Sequence, residues 1–168
     1  MSQAVLKPEL TAENPSTGID DESRRKIAEA LSAVLTDTYY LVIKTHIYHW
    51  NVVGPLFHAV HEMTEEQYQN LFEAADEIAE RIRALGHKAP IADSAGPGEA
   101  VVSTAASAKS AHDMIADLIA DHEAAIRKMR EAAEMAEEHR DLVTHDMLTA
   151  RLTYHEQVVW MLRALATE

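Results

Sequence analysis

Three small groups of side chains in the first half of the sequence have the types and spacing to bind a metal ion. His46 and His49 stand three residues apart, His61 and Glu65 four apart, and Asp76 and Glu80 four apart. Residues at such spacings share one face of a helix, and imidazole with carboxylate is a ligand set that suits iron or zinc. Each pair taken alone also fits an ordinary solvated helix face. Other chemistries lack their parts. Cysteine is absent, so there is no thiolate ligand, disulfide or thiol nucleophile. No Glu-x-x-His occurs, which excludes a di-metal site built inside one bundle from two such motifs. Neither His-Glu-x-x-His nor a glycine-rich phosphate loop is present. A Ser/His/Asp hydrolase has no strand-turn-helix context to support it.

These groups need helices to hold them. Glycine and proline fall in the first 18 residues, at Gly54-Pro55 and between Gly86 and Gly98, which leaves breaker-free blocks at 19–53, 56–85 and 99–168. The last block is too long for one globular helix. Its charged run Glu137-Glu138-His139-Arg140-Asp141 is the natural stop, with Asp141 as N-cap of a further helix. The sequence therefore predicts four helices, at 21–52, 57–85, 104–138 and 142–165, with a long crossover between the second and third. In the first, Ile27, Leu31, Val34, Thr38, Leu41 and Thr45 recur at steps of three and four; in the second, Phe57, Val60, Thr64, Tyr68, Leu71, Ala75, Ile78, Ile82 and Leu85 do so. The expected fold is all-α, a four-helix bundle over residues 21–168 behind a flexible N-terminal tail of residues 1–20.

On the second helix, His61, Glu65, Asp76 and Glu80 fall within an arc of roughly 100°, displaced from the core stripe, with Phe72 in its middle. That stripe therefore faces a neighbour. The midpoints of the two pairs are about 15 residues apart, or ~22 Å of helix, so one chain cannot bring both to one ion. A second copy of the helix, antiparallel across a two-fold axis, sets His61 and Glu65 of one chain opposite Asp76 and Glu80 of the other, giving two symmetric sites per dimer.

Fifteen basic against 28 acidic residues give a net charge of −13 over 168 residues, the opposite of a nucleic-acid-binding surface. No signal-like or bilayer-spanning apolar run is visible, so a soluble cytoplasmic protein is expected.

The segments KTHIYHWNVVGPLFHAVHEMTEEQY (44–68), EAADEIAERIRALG (73–86) and HEQVVWMLRA (155–164) resemble the Dps mini-ferritins, a ferritin-like family. The spacing His49-x11-His61-x3-Glu65-x10-Asp76-x3-Glu80 matches that family's inter-subunit ferroxidase signature. The resemblance implies a ferritin-like bundle that assembles as a homododecamer with two-fold and three-fold interfaces. It implies Fe(II) oxidation, preferentially by hydrogen peroxide, storage of ferric mineral in the cavity, and protection of DNA from oxidative damage. Carried over by position, His49, His61 and Glu65 come from one subunit and Asp76 and Glu80 from its partner. Glu65 stands where many members have Asp. Trp50 matches a tryptophan beside the site, as electron donor or as packing. His46 either approaches the same metal or supports the interface. Near the start of the last helix, Glu138, Asp141 and Asp146 are candidates for the family's acidic entry pore, or simply a cap and exposed carboxylates. His58 is expected to face water, Glu156 to make a structural contact, and His112, His122, His139, His145 and His155 have no partner at convincing spacing. Two other readings are a DNA-compacting protein associated with the nucleoid, and a shell that binds zinc or manganese with little oxidase activity. The N-terminal tail argues against direct DNA binding, because before Arg24 it has one base, Lys7, against five acids.

Overall fold

A computed structural model describes residues 14–90 and 108–167 of the chain. It contains four helices: α1 (Asp21–Asn51), α2 (Phe57–Ala84), α3 (Ala111–Glu138) and α4 (Leu142–Ala166). The fold is the expected all-α ferritin-like bundle. The loop around Gly96-Pro97-Gly98, the expected helix start at residue 104 and tail residues 1–13 lie outside the described residues. Within them, α3 begins later than expected. Ser110 is in extended conformation and its side chain accepts a hydrogen bond from the Asp113 N–H, an N-cap that sets the start at Ala111.

Local chemistry sets the other ends. Asp20 caps α1 by accepting from Ser23 N–H at 3.0 Å. Arg24 in the first turn of α1 donates to the Ile19 carbonyl and to Asn14 Oδ1, which ties residues 14–19 to the helix. The turn after α3 has no glycine. There Arg140 takes the left-handed conformation at φ 60°, Arg140 N–H reaches the Glu137 carbonyl, and Asp141 N–H reaches the Ala136 carbonyl at 2.8 Å. This pattern of bonds satisfies the last carbonyls of the helix. Asp141 then caps α4 as expected, accepting from Thr144 N–H at 3.0 Å.

The short turns make α1–α2 and α3–α4 antiparallel pairs, and α1 packs on α3. Contact between α2 and α4 is slight and leaves a groove. Val60, Leu71, Ala75, Ile78 and Ile82 on α2 and Leu85 at its C-cap are buried, as their spacing predicts. Each large side chain among them contributes roughly 1.5–3 kcal/mol by leaving water. Phe57 departs from this stripe: it is 44% exposed, and its ring lies on His61 at 5.0 Å. It belongs to the surface of the candidate site.

The core is two apolar clusters, not one. Leu31, Leu41, Leu71, Ile78, Met129 and Leu148 belong to the first. Tyr48, Val60, Ile115, Leu118, Val158 and Leu162 belong to the second. Buried polar residues separate them, including Thr45, Thr64, Gln67, Asp121, His122 and His155.

Candidate metal centre

His49 lies in the last turn of α1 and His61 in the first turns of α2. The chain reverses between them at Gly54, whose φ of 94° is open to glycine without strain. The reversal lays the two imidazoles on each other, with ring centroids 3.8 Å apart and planes 19° apart. Each ring is held by the other's backbone. His49 Nδ1 lies 2.9 Å from the His61 carbonyl oxygen, and His61 Nδ1 lies 2.9 Å from the His49 carbonyl oxygen. A carbonyl can only accept, so both Nδ1 atoms carry hydrogens, which leaves Nε2 as the nitrogen that can ligate a metal. Metal-binding histidines are oriented in this way, by a hydrogen bond on the nitrogen that does not ligate. The fold supplies the acceptors. The His49 carbonyl is among the last four of α1, which have no helical donor of their own.

Aromatic rings surround the pair. Tyr68 meets His49 edge-on at 5.3 Å. His46 lies against Tyr68 at 4.2 Å and Trp50 at 4.1 Å, with its ring 6.1 Å from that of His49. Glu65 is exposed one turn after His61, and Asp76 and Glu80 are exposed further along α2. Among the described residues of one chain, no three His, Cys, Asp or Glu side chains gather closely enough to hold a metal ion. The structure thus brings His49 and His61 together and leaves Glu65, Asp76 and Glu80 on the open face of α2. Phe72 lies on that face, 59% exposed, and Tyr39, Ile43, Trp50 and Phe57 are also exposed.

The ferritin-like domain family model matches residues 28–168. The chain is 34% identical over 145 residues to DNA protection during starvation protein 2 of Bacillus anthracis, a match covering 86% of this chain and 99% of that protein. The chain belongs to the Dps family. A low temperature-induced protein of Nostoc is 40% identical over 150 residues, covering 88% of this chain and 83% of that one. Among solved structures, the Dps protein of Vibrio cholerae superposes with a TM-score of 0.84 at 28% identity, covering 93% of this chain and 98% of that one. That protein is described as a member of a broad superfamily of ferritin-like diiron-carboxylate proteins. The Dps of Thermosynechococcus elongatus gives a TM-score of 0.80 at 29% identity, over 88% of this chain and 94% of that one.

Three expectations for other residues of this Dps chain need correction. His122 and His155 do have partners: each other. Their Nδ1 atoms are 2.8 Å apart across α3 and α4, and both residues are fully buried. Burial, with a smaller effect from the Arg151 charge, pushes His122 down to about 3. His155 is pushed well below the ordinary value by burial first, then by His122 and Arg151. His139 is also partnered, its Nδ1 lying 2.8 Å from Ser23 Oγ. Asp141 is no pore acid. It is 1% exposed and accepts a bond from Arg81 Nη2 at 2.7 Å. Burial pushes its carboxyl up, but hydrogen bonds from Arg81 and Thr144 outweigh that and lower it overall. Glu156 makes its structural contact, to Arg130 at 2.7 Å, and His58 faces water beside Glu62. A sequence signal for the histidine pair existed. His122 continues the stripe Ile115–Leu118–Ala125–Met129, and His155 the stripe Leu148–Leu152–Val158–Leu162, so each occupies a core position.

No described helix is long and apolar enough to cross a membrane.

Proposed function

We propose that this Dps chain oxidises Fe(II), with hydrogen peroxide as preferred oxidant, at two symmetric sites on the two-fold axis of a dimer. Ferric mineral is stored inside a hollow dodecamer, and DNA is protected because iron and peroxide are consumed together. The reciprocal lock of His49 and His61 carries this reading. It turns the Nε2 atom of both imidazoles away from the backbone, with His61 one turn before Glu65. The partner's Asp76 and the partner's Glu80 complete the set, since they lie ~22 Å along the same helix and cannot reach the ion within one chain. The exposed apolar residues on α1 and α2 support a second copy as the covering surface.

Fe(II) is substrate and cargo. Two imidazoles and three carboxylates are borderline and hard donors that suit both oxidation states of iron, and the anionic ligands favour the ferric state. Two Fe(II) ions supply the two electrons that one hydrogen peroxide accepts, so no single-electron product is released. The net charge of −13 per chain draws Fe(II) toward the assembly. The same charge opposes phosphate, so direct DNA binding is weak.

The test is anaerobic loading with Fe(II) followed by a pulse of peroxide. Ferric absorbance should rise faster than without protein, with two irons oxidised per peroxide. A rate equal to the protein-free control refutes the reading. Bound zinc that resists displacement by Fe(II) would favour the zinc shell, and a gel shift of DNA at physiological salt without Mg²⁺ would overturn the charge argument.

A further inference from the structure

Arg151 on α4 is a charge buried without a counter-charge. The residue is 8% exposed. Its contacts occupy one nitrogen and one ring face. Nη1 donates to Asn70 Oδ1 on α2 at 2.8 Å, and Cζ lies 4.6 Å from the centre of the Tyr154 ring. Nε and Nη2 are buried with no hydrogen-bond partner among the described residues, and no carboxylate of those residues forms an ion pair with the guanidinium. Burial holds Arg151 below its ordinary value, against the smaller opposing effects of Tyr154 and Glu77. A guanidinium does not shed its proton at any ordinary pH. A buried charge is costly unless it is paired, so the fold holds a cation whose partner must come from outside the chain.

The unpaired edge selects the shape of that partner. Nε–H and Nη2–H are parallel donors on one edge of a planar group, the fork that matches two oxygens of an oxyanion. Asn70 and Tyr154, which fix the guanidinium, are also walls of the groove between α2 and α4, whose volume is about 260 Å³. Contact between these helices is slight, so the two side chains can part and admit a ligand to the fork. The groove supplies further donors: the Asn70 amide nitrogen, the Tyr154 hydroxyl and the Gln157 amide. It also holds two acceptors. Gln67 Oε1 is buried without a hydrogen-bond partner among the described residues, and Glu66 is an exposed carboxylate on the same wall. An oxyanion that has lost all its protons would be repelled by both. Phosphate keeps at least one proton at neutral pH and can donate it to either; sulfate cannot.

We propose that the α2–α4 groove is a phosphate site, with the Arg151 fork as its charged base and Gln67 and Glu66 as acceptors for the proton that phosphate carries. The net charge of −13 opposes anions at a distance, but salt screens it beyond about 8–10 Å, and contact with Arg151 decides binding inside the groove. Nucleic acid cannot use the same fork, because its phosphates lie on a chain too bulky for the groove. The site needs no iron, and so goes beyond the iron-oxidising reading without depending on it.

The test is calorimetric titration of the iron-free, full-length protein with inorganic phosphate, and separately with sulfate, at constant ionic strength. One phosphate should bind per chain, with sulfate at least tenfold weaker. R151M removes a buried unpaired charge, a change that folded proteins tolerate, and should weaken phosphate binding at least tenfold. R151K keeps the charge but not the fork and should weaken it at least fivefold. E66Q, at an exposed position, should narrow the preference for phosphate over sulfate at least threefold. Melting curves check that each variant is folded, and if R151M is not, R151K and E66Q still decide. No phosphate uptake by the native protein overturns the site. So does native-like affinity in folded R151M or R151K, or sulfate binding as tight as phosphate. Failure of the native protein to oxidise Fe(II) refutes the proposed function instead and leaves these titrations unaffected.

Discussion

The buried histidine pair makes the chain sensitive to acid in a way that can be calculated. In the unfolded chain each histidine takes up a proton near pH 6.5. In the folded chain His122 resists protonation down to about 3 and His155 well below its ordinary value. Between those limits the unfolded state binds more protons, so stability falls as pH falls. It is fully present above about pH 6.5 and is lost progressively below it. Each histidine contributes a slope of about 1.4 kcal/mol per pH unit once it titrates. At pH 5 the pair together costs about 4 kcal/mol relative to pH 7.5. That is a large part of the roughly 5–15 kcal/mol that holds a typical domain folded. Replacing both residues by apolar ones (H122L/H155M) removes the titration while filling the space. Chemical denaturation at several pH values between 7.5 and 5 should show native stability dropping by about 4 kcal/mol more than that of the variant. Other titrating groups are common to both proteins and cancel in the difference. Parallel slopes would refute the reasoning, because they would mean that the folded pair takes up protons as readily as the unfolded chain.

Other outcomes follow from single features. D141A removes the cap of α4 and leaves Arg81 without its carboxylate partner, though still bonded to Thr144 Oγ1, and should cost about 3 kcal/mol in denaturation experiments. The stability that native Asp141 contributes is present above the ordinary carboxylate range and is lost as pH falls through its lowered value. L71A empties a fully buried core position and should cost about 2–5 kcal/mol, read as a lower denaturation midpoint. E65A and the double variant D76A/E80A should each abolish accelerated Fe(II) oxidation, whereas particles assembled from a mixture of the two should regain part of it. A dimer containing one of each keeps one complete site, so an inactive mixture would refute shared sites.

The parts of the fold that were legible are those governed by local rules. The stripe Val60–Leu71–Ile78–Ile82 repeats at helical spacing, and Asp141 precedes a run of helix formers as a cap should. Phe57 fits the same arithmetic yet lies outside, because spacing reports a direction on the helix and not what stands there. At that end of α2 the neighbour is an imidazole and not the core. The cap of α3 was harder to place: alanine, lysine and serine at 108–110 tolerate a helix, and it is the extended backbone at Ser110 that sets the start at Ala111. The stacking of His49 on His61 was not readable at all. It depends on the turn at Gly54 bringing two helix ends to one height, and the sequence separation of the two residues says nothing of their exchange of hydrogen bonds. The pairing of His122 with His155 leaves no spacing signal along the chain, because the two residues meet only across two helices.

The exchange of bonds between His49 and His61 has a consequence for how ligand substitutions are interpreted. Each ring is also a clasp on the opposite helix. His61 Nδ1–H satisfies a carbonyl at the open end of α1, and His49 Nδ1–H anchors the first turns of α2. Removing either ring therefore takes away a proposed metal ligand and loosens the α1–α2 corner, by about 1 kcal/mol per lost bond. A histidine variant that fails to handle iron confounds the two losses, whereas changes at the exposed carboxylates touch only the first. In return, the imidazoles stand in position before any ion arrives, and capture requires no ordering of their side chains.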